Sequence, residues 1–394
     1  MIMKTGDQNL VKKLNKSIVL DILQKQSPIS RAQISKTTGL TKATVSSLVS
    51  ELMNESFIYE IGSGESKGGR KPVMLYFNKN AGYSIGIDVG VDYILAILTD
   101  LQGNIIDQTE MTFTTSLRNE IIEKIKNTIS YLSSRCPTSP YGIVGIGVGV
   151  PGITDINGTI LFAPNLDWHN VALKEELEQT FNLPVVIENE ANAGAHGEKV
   201  YGAGKNVSNL IYVSIGTGIG TGIILGNELY KGENGIAGEM GHISIDPNGK
   251  KCNCGNLGCW ELYASESALV QQATSLSTFN ENYDITLELL CAAAHEGNGE
   301  VLNLLNTIGD YIGLGITNIV NVFNPKQIII GNRFSKLESW IANPVDRVIE
   351  QRLLPQHQQS LEVTFSHLGA YSCALGSAAF SLSNFLSHHK MSID

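Results

Sequence analysis

Along the first 80 positions the apolar residues recur at helical spacing, and beyond them the pattern turns to alternation. Ile18, Val19, Ile22 and Leu23 mark the inner face of a first helix. In the next, "RAQISKTT", Ser30 is placed to cap the N-terminus and Gly39 suits the left-handed turn that ends it. Thr41 caps a third helix whose Val45, Leu48 and Leu52 face inward. The stretch "FIYEIGSGESKGGRKPVMLYF" reads as two strands around a Gly- and Ser-rich tip. Together these elements predict a winged helix-turn-helix over residues 1–80.

From Tyr83, "YSIGIDVG", "YILAILTD" and "NIIDQTEMTF" read as three strands on short turns. Helical "NEIIEKIKNTISYL" and a buried-type strand, "GIVGIGVGV", follow. A second such series begins at "NLIYVSIGTGIGTGIILGN". Two successive units of Gly-turned hairpin plus helices predict a duplicated, two-lobed α/β body with a cleft between the lobes. The first lobe is expected over 81–190, completed by a C-terminal helix over 375–394, and the second over 191–374.

Charge divides the chain at the same place. Residues 1–80 hold 12 Lys/Arg against 6 Asp/Glu, a net of +6, whereas the remainder holds 16 against 32, a net of −16. A basic head on an acidic body points to a polyanionic partner for the head alone, namely double-stranded DNA. The residues placed to meet it are Ser30, Arg31, Thr41, Lys42, Ala43, Thr44, Ser46 and Ser47 in the helices. On the Gly frame of the wing, Lys67, Arg70 and Lys71 suit phosphate or minor-groove contact. No apolar run reaches the roughly 18 residues of a membrane helix. The N-terminus lacks a signal-peptide core, so the cytoplasm is the expected compartment and no membrane partner is expected.

Three of the six cysteines crowd into "CNCGNLGC", while Cys136, Cys291 and Cys373 stand apart. The spacing His242-x9-Cys252-x-Cys254-x4-Cys259 offers three thiolates and an imidazole, a donor set for tetrahedral zinc. A closed four-ligand set implies a structural ion, since catalytic zinc keeps an open position. Its loop places Glu239, His242 and Glu261 on one wall. Two Gly-rich turns, "IDVGVDY" and "SIGTGIGTG", follow strands where backbone amides can cradle an anion, although neither leads straight into a helix as a dinucleotide fold requires.

"DVGVD", "PNLDWHN", "ENEANAGAHGE", "SIGTGIGTG", "EMGH" and "CNCGNLGCWE" occur in an order that resembles the ROK family of repressors, open reading frames and sugar kinases. The basic head resembles the repressor branch. The resemblance implies a two-lobed actin/hexokinase-like (ribonuclease H-like) body with a structural zinc. It implies sugar contacts from Asn165, Asn189, Glu190, Glu239, His242 and Glu261, with His242 serving zinc and sugar alike. Such groups suit a small neutral sugar; the resemblance favours D-xylose, and a pocket for glucose would use the same residue types.

Family kinases carry Asp, as general base, where this chain has Glu190. The extra methylene shifts the carboxylate by about 1 Å, and a misplacement of that size can cost about a hundredfold in rate. In the first phosphate loop, where those kinases read D-x-G-G-T, Val91 and Asp92 stand instead, and a carboxylate there repels a triphosphate. Asn332 departs from the family's Gly-Gly adenosine motif. The expectation is a sugar-responsive repressor without catalytic residues and without ATP, bound to a palindromic operator as a dimer and released by sugar. The alternative is an active sugar kinase with an added DNA-binding head.

Overall fold

Helices Gln8–Gln26, Arg31–Thr38 and Lys42–Asn54 form the head of the computed structural model, which describes residues 8–63, 73–115, 117–155, 157–279 and 284–391. Ser30 and Gln33 make a reciprocal capping box, each side chain accepting the other's backbone N–H. Gly39 ends that helix at φ 73°, and the Thr41 hydroxyl accepts from the Thr44 N–H at 3.1 Å. The wing strands Ile58–Ser63 and Val73–Phe77 pair antiparallel, and Val73–Phe77 also pairs with the short strand Ile29–Ser30. Lys67, Arg70 and Lys71 lie outside the described residues. One inner-face assignment is corrected: Ile18 is 48% exposed, whereas Val19, Leu20 and Leu23 are buried. Apolar residues occupy two stripes of this helix, and the core took the one through Val19 and Leu23.

The body is built on two five-stranded sheets of one topology. In the first, the spatial order is Val185–Asn189, Ile143–Val150, Tyr83–Val89, Tyr93–Asp100, Ile105–Thr112. In the second it is Glu362–Phe365, Gln327–Gly331, Leu210–Ile215, Ile219–Leu225, Glu228–Leu229. Each sheet has two parallel pairings and then two antiparallel ones, so the hairpins at Gly90 and at 216–218 are equivalent turns. This is the duplicated, two-lobed α/β architecture that the alternation predicts, and it agrees with the actin/hexokinase-like fold that the resemblance implies. No helix among the described residues is long and apolar enough to cross a membrane.

One face of the first sheet is apolar and one is nearly bare. Ile85, Ile87, Val89, Ile146, Val148 and Val150 pack with the helices Arg118–Ser134 and Leu173–Phe181. The opposite face presents Ser84, Gly86 and Asp88 beside Gly145, Gly147 and Gly149. The C-terminal helix, Tyr371–Met391, lies directly on that bare face. A Cβ added at Gly86 would sit 2.0 Å from the Ala374 carbonyl oxygen, and one at Gly147 1.9 Å from that of Ser377. The alternating glycines of "GIGVG" therefore make a trough for a helix backbone.

The same helix ties the body together. Near its start it crosses the helix Glu190–Val200, where a Cβ on Gly376 would meet the Ala193 carbonyl oxygen at 1.7 Å. There the fully buried Glu198 carboxylate accepts from the hydroxyls of Ser366 and Ser372. Near its end, Leu382 and Leu386 join Val19, Leu23, Leu52 and Phe57 in a single core shared by head and body. Tyr141 stacks on Phe57 with centroids 5.2 Å apart and donates its hydroxyl to the Glu55 carbonyl at 2.8 Å.

A side chain in the trough must lift the helix off the sheet. Gly147→Ala is expected to cost about 1–3 kcal/mol or more, the usual range for overpacking. Gly299→Ala, where nothing lies within 4 Å of the new Cβ, is expected to be neutral. Thermal unfolding of the two variants checks the contrast.

Candidate functional site

The two equivalent hairpin turns border a cavity of about 310 Å3, at the small end of the roughly 300–1,000 Å3 typical of ligand pockets. Asn165, Asn189 and Glu190 line it from the first lobe, and Glu239, His242 and Glu261 from the second. All six residues singled out in the sequence thus share one cavity. Asn165 sits in the 3-10 turn Pro164–Leu166, and Glu190 is the first residue of its helix. Asn189 is the cap of that helix. Its Oδ1 accepts from the N–H groups of Ala191 and Asn192, and its Nδ2 donates to the Gly152 carbonyl at 2.9 Å, which leaves one amide hydrogen for a ligand.

Carboxylates crowd this cleft. Burial first, and then the neighbouring Asp88 and Glu239, push the Glu190 carboxyl up to about 8. Burial also raises Asp88, to about 6, although the Tyr93 hydroxyl donates to its Oδ2 at 2.9 Å. Glu239 is raised as well, chiefly by burial. In its protonated form Glu190 can both donate to and accept from a hydroxyl group.

The second lobe carries four side chains that could together hold a metal ion. The donor atoms of His242, Cys252, Cys254 and Cys259 all lie within 4.8 Å of one another. Cys254 Sγ is 3.6 Å from Cys259 Sγ, and Cys252 Sγ is 3.7 Å from His242 Nδ1. A tetrahedral site with metal–sulfur bonds of about 2.3 Å has edges of about 3.8 Å, so the set can hold a metal ion. The Nε2 edge of His242 faces the other way, 4.0 Å from Glu239 Oε2. Glu261 Oε1 stands 3.3 Å from Nδ1. One imidazole thus joins metal set and cavity wall.

Four further groups line the cleft: Asn332, already singled out in the sequence, and Tyr93, Arg333 and Phe162, which were not. The Tyr93 ring covers Gly90, where an added Cβ would meet Cε1 at 2.1 Å. The Asn332 side chain lies across Gly216 and donates to Ser214 Oγ at 3.1 Å. Arg333 is held between Glu266 at 3.2 Å and Glu288 at 3.3 Å. Phe162 adds an aromatic wall. Of the three that were not, only Arg333 carried a local signal, as the bulky group beside Asn332 in "GNRF".

In the head, Thr41, Lys42, Ala43, Ser46 and Ser47 are exposed and Thr44 is half-buried. Arg31 is half-buried and paired with Glu60 of the wing at 2.5 Å. Ser30 is corrected: it is 5% exposed and its hydroxyl is engaged in the capping box, which withdraws it from an outer binding face.

A profile for the ROK family matches residues 84–384, and one described as winged helix-turn-helix DNA-binding matches 16–59. A protein named xylose repressor from Bacillus spizizenii is 49% identical over 391 residues, covering 99% of this chain and 100% of that protein. The N-acetylglucosamine repressor of Escherichia coli is 27% identical, over 95% of this chain and 93% of its own. Among solved structures, a ROK family transcriptional regulator described as a homolog of the E. coli MLC protein superposes with a TM-score of 0.80 at 28% identity, covering 97% and 99% of the two chains. A ROK family glucokinase from Streptomyces griseus in complex with glucose and AMPPNP does so at 0.70 and 31%, covering 76% and 99%.

Two outcomes follow from the geometry. Chelation, or Cys254→Ser, is expected to lower the melting temperature by several degrees, and metal analysis of the untreated protein to find about one equivalent bound. The second concerns pH. Glu190 ionises at about 8 when folded against its ordinary 4.5, so unfolding releases its proton between those values. Its contribution to stability is full below 4.5 and is lost as pH rises toward 8. Melting curves from about pH 5 to 9 should show a fall that Glu190→Gln makes shallower.

Proposed function

This chain belongs to the ROK family and is a sugar-responsive transcriptional repressor, and we propose that D-xylose is its effector. In this reading the head binds a palindromic operator in the cytoplasm as part of a homodimer or higher assembly, and the sugar releases it. Lys42, Ala43, Thr44, Ser46 and Ser47 would enter the major groove from the third helix, with Arg31 and Thr41 beside them. Lys67, Arg70 and Lys71 would follow the phosphates.

One observation carries the proposal: polar residues of both lobes line a single sugar-sized cavity. A ligand bonded to Asn165, Asn189 and Glu190 on one side and to Glu239, His242 and Glu261 on the other favours the arrangement in which the lobes are together. It shifts the population only to the extent that it binds that arrangement more tightly. A tenfold loss of operator affinity needs only about 1.4 kcal/mol of such coupling. The metal set suits zinc in a structural role, holding His242 against the cavity.

The body retains the "GTGIGTG" turn of a kinase, and the glucokinase named above shares its fold. Against catalysis, Glu190 stands where the family kinases carry an Asp base, and the extra methylene displaces its carboxylate by about 1 Å. Tyr93, Asn332 and Arg333 crowd the phosphate side, with Asp92 exposed beside them. We read Glu190 as a sugar holder and expect no ATP in the cleft.

The test is a mobility-shift titration with DNA from upstream of neighbouring sugar-utilisation genes, at fixed salt, with D-xylose, glucose or N-acetylglucosamine. Release by D-xylose alone is expected. Release by another sugar would reassign the effector, and sugar-dependent ATP turnover would restore the kinase reading.

A further inference from the structure

The two lobes are also joined beside the cavity by an ion pair. Glu188 precedes Asn189 and Glu190 on the first lobe and is only 4% exposed. Its Oε1 accepts from the Asn189 N–H at 3.0 Å and from Asn192 Nδ2 at 3.1 Å. Its Oε2 accepts from the ammonium of Lys231, a residue of the second lobe that lies just beyond the strand Glu228–Leu229. Among the described residues this is the one ion pair that runs from lobe to lobe.

Lys231 is itself tied to the opposite side of the cavity. Its carbonyl accepts from the Ala237 N–H at 3.0 Å, which closes the loop that ends at Glu239. The next carbonyl, of Gly238, accepts the Thr221 hydroxyl at 2.6 Å. Gly235 of the same loop approaches Thr154 of the first lobe, where an added Cβ would lie 3.0 Å from the carbonyl oxygen. The pair thus connects the segment bearing Asn189 and Glu190 to the segment bearing Glu239 through short, hydrogen-bonded backbone.

We propose that Lys231 and Glu188 are positioning residues: together they form a strap that holds the lobes in the sugar-binding arrangement and so sets the effector concentration at which the protein responds. The proposal rests on the reading that sugar favours the closed lobes and that the closed lobes release DNA. Strap and sugar span the same gap, so each stabilises the arrangement the other needs. Loss of the strap weakens sugar binding. It leaves sugar-free operator binding unchanged or slightly tighter, because the open arrangement is then disfavoured less. A general folding defect would weaken both.

The experiment compares wild type with Lys231→Met, Glu188→Gln, the double variant and Lys231→Arg. D-xylose affinity is read by calorimetric titration, with glucose and N-acetylglucosamine in parallel, and operator affinity by mobility shift without sugar. Lys231→Met is expected to weaken sugar binding about threefold to tenfold, the scale of a partly exposed ion pair with one buried partner. The sugar concentration for half-release should rise by the same factor. Glu188→Gln keeps an acceptor for Asn192 and should match it, the double variant should add nothing further, and Lys231→Arg should restore the wild-type value. Unchanged sugar affinity in Lys231→Met, additive loss in the double variant, or a joint loss of sugar and operator affinity would overturn the strap alone. A wild type that binds none of the three sugars would instead remove the premise, and the strap with it.

Discussion

Contact of backbone with backbone between the C-terminal helix and the first sheet is the constraint on which the other parts depend. Side chains ordinarily keep a helix about 10 Å from a sheet; here Gly86, Gly145, Gly147 and Gly149 remove them. The helix can then do three things within one length. It seals the first sheet, it crosses the helix that begins at Glu190, and it runs on into the core of the DNA-binding head. Small residues at the crossing, Ala193, Gly197 and Gly376, let the two helices approach closely where the lobes join.

On that frame the cleft carries carboxyl, amide and imidazole groups suited to hydroxyls, and the protein's own Tyr93, Asn332 and Arg333 line it as well. Burial makes the carboxyl groups expensive to ionise, and their mutual proximity adds to the cost. A neutral, hydroxyl-rich ligand is the kind that such a surface accepts, because it supplies hydrogen bonds without adding charge.

Much of this was legible from local rules. Ser30, Gly39 and Thr41 announced the helices of the head because caps act over three or four residues. The hairpins announced the lobes, and the cysteine spacing announced the metal set. What escaped depends on how distant segments meet. The first helix has two apolar stripes, and periodicity alone does not choose Val19 over Ile18 for the core. The alternating glycines of "GIGVG" read as a buried strand, but a trough becomes visible only once a helix from more than 200 residues away lies in it. Ser30 satisfied a cap and a surface role equally well in the sequence, and burial decided for the cap. Nothing local to Lys231 pointed to Glu188, its buried partner 43 residues earlier.

The shared core of head and first lobe has an entropic consequence. A head on a loose tether gives up orientational freedom every time it settles on DNA, and that loss weakens binding. Here Phe57, Tyr141, Leu382 and Leu386 have removed the freedom already, during folding. The head reaches DNA with its bearing set, and any change in that bearing has to turn the whole first lobe.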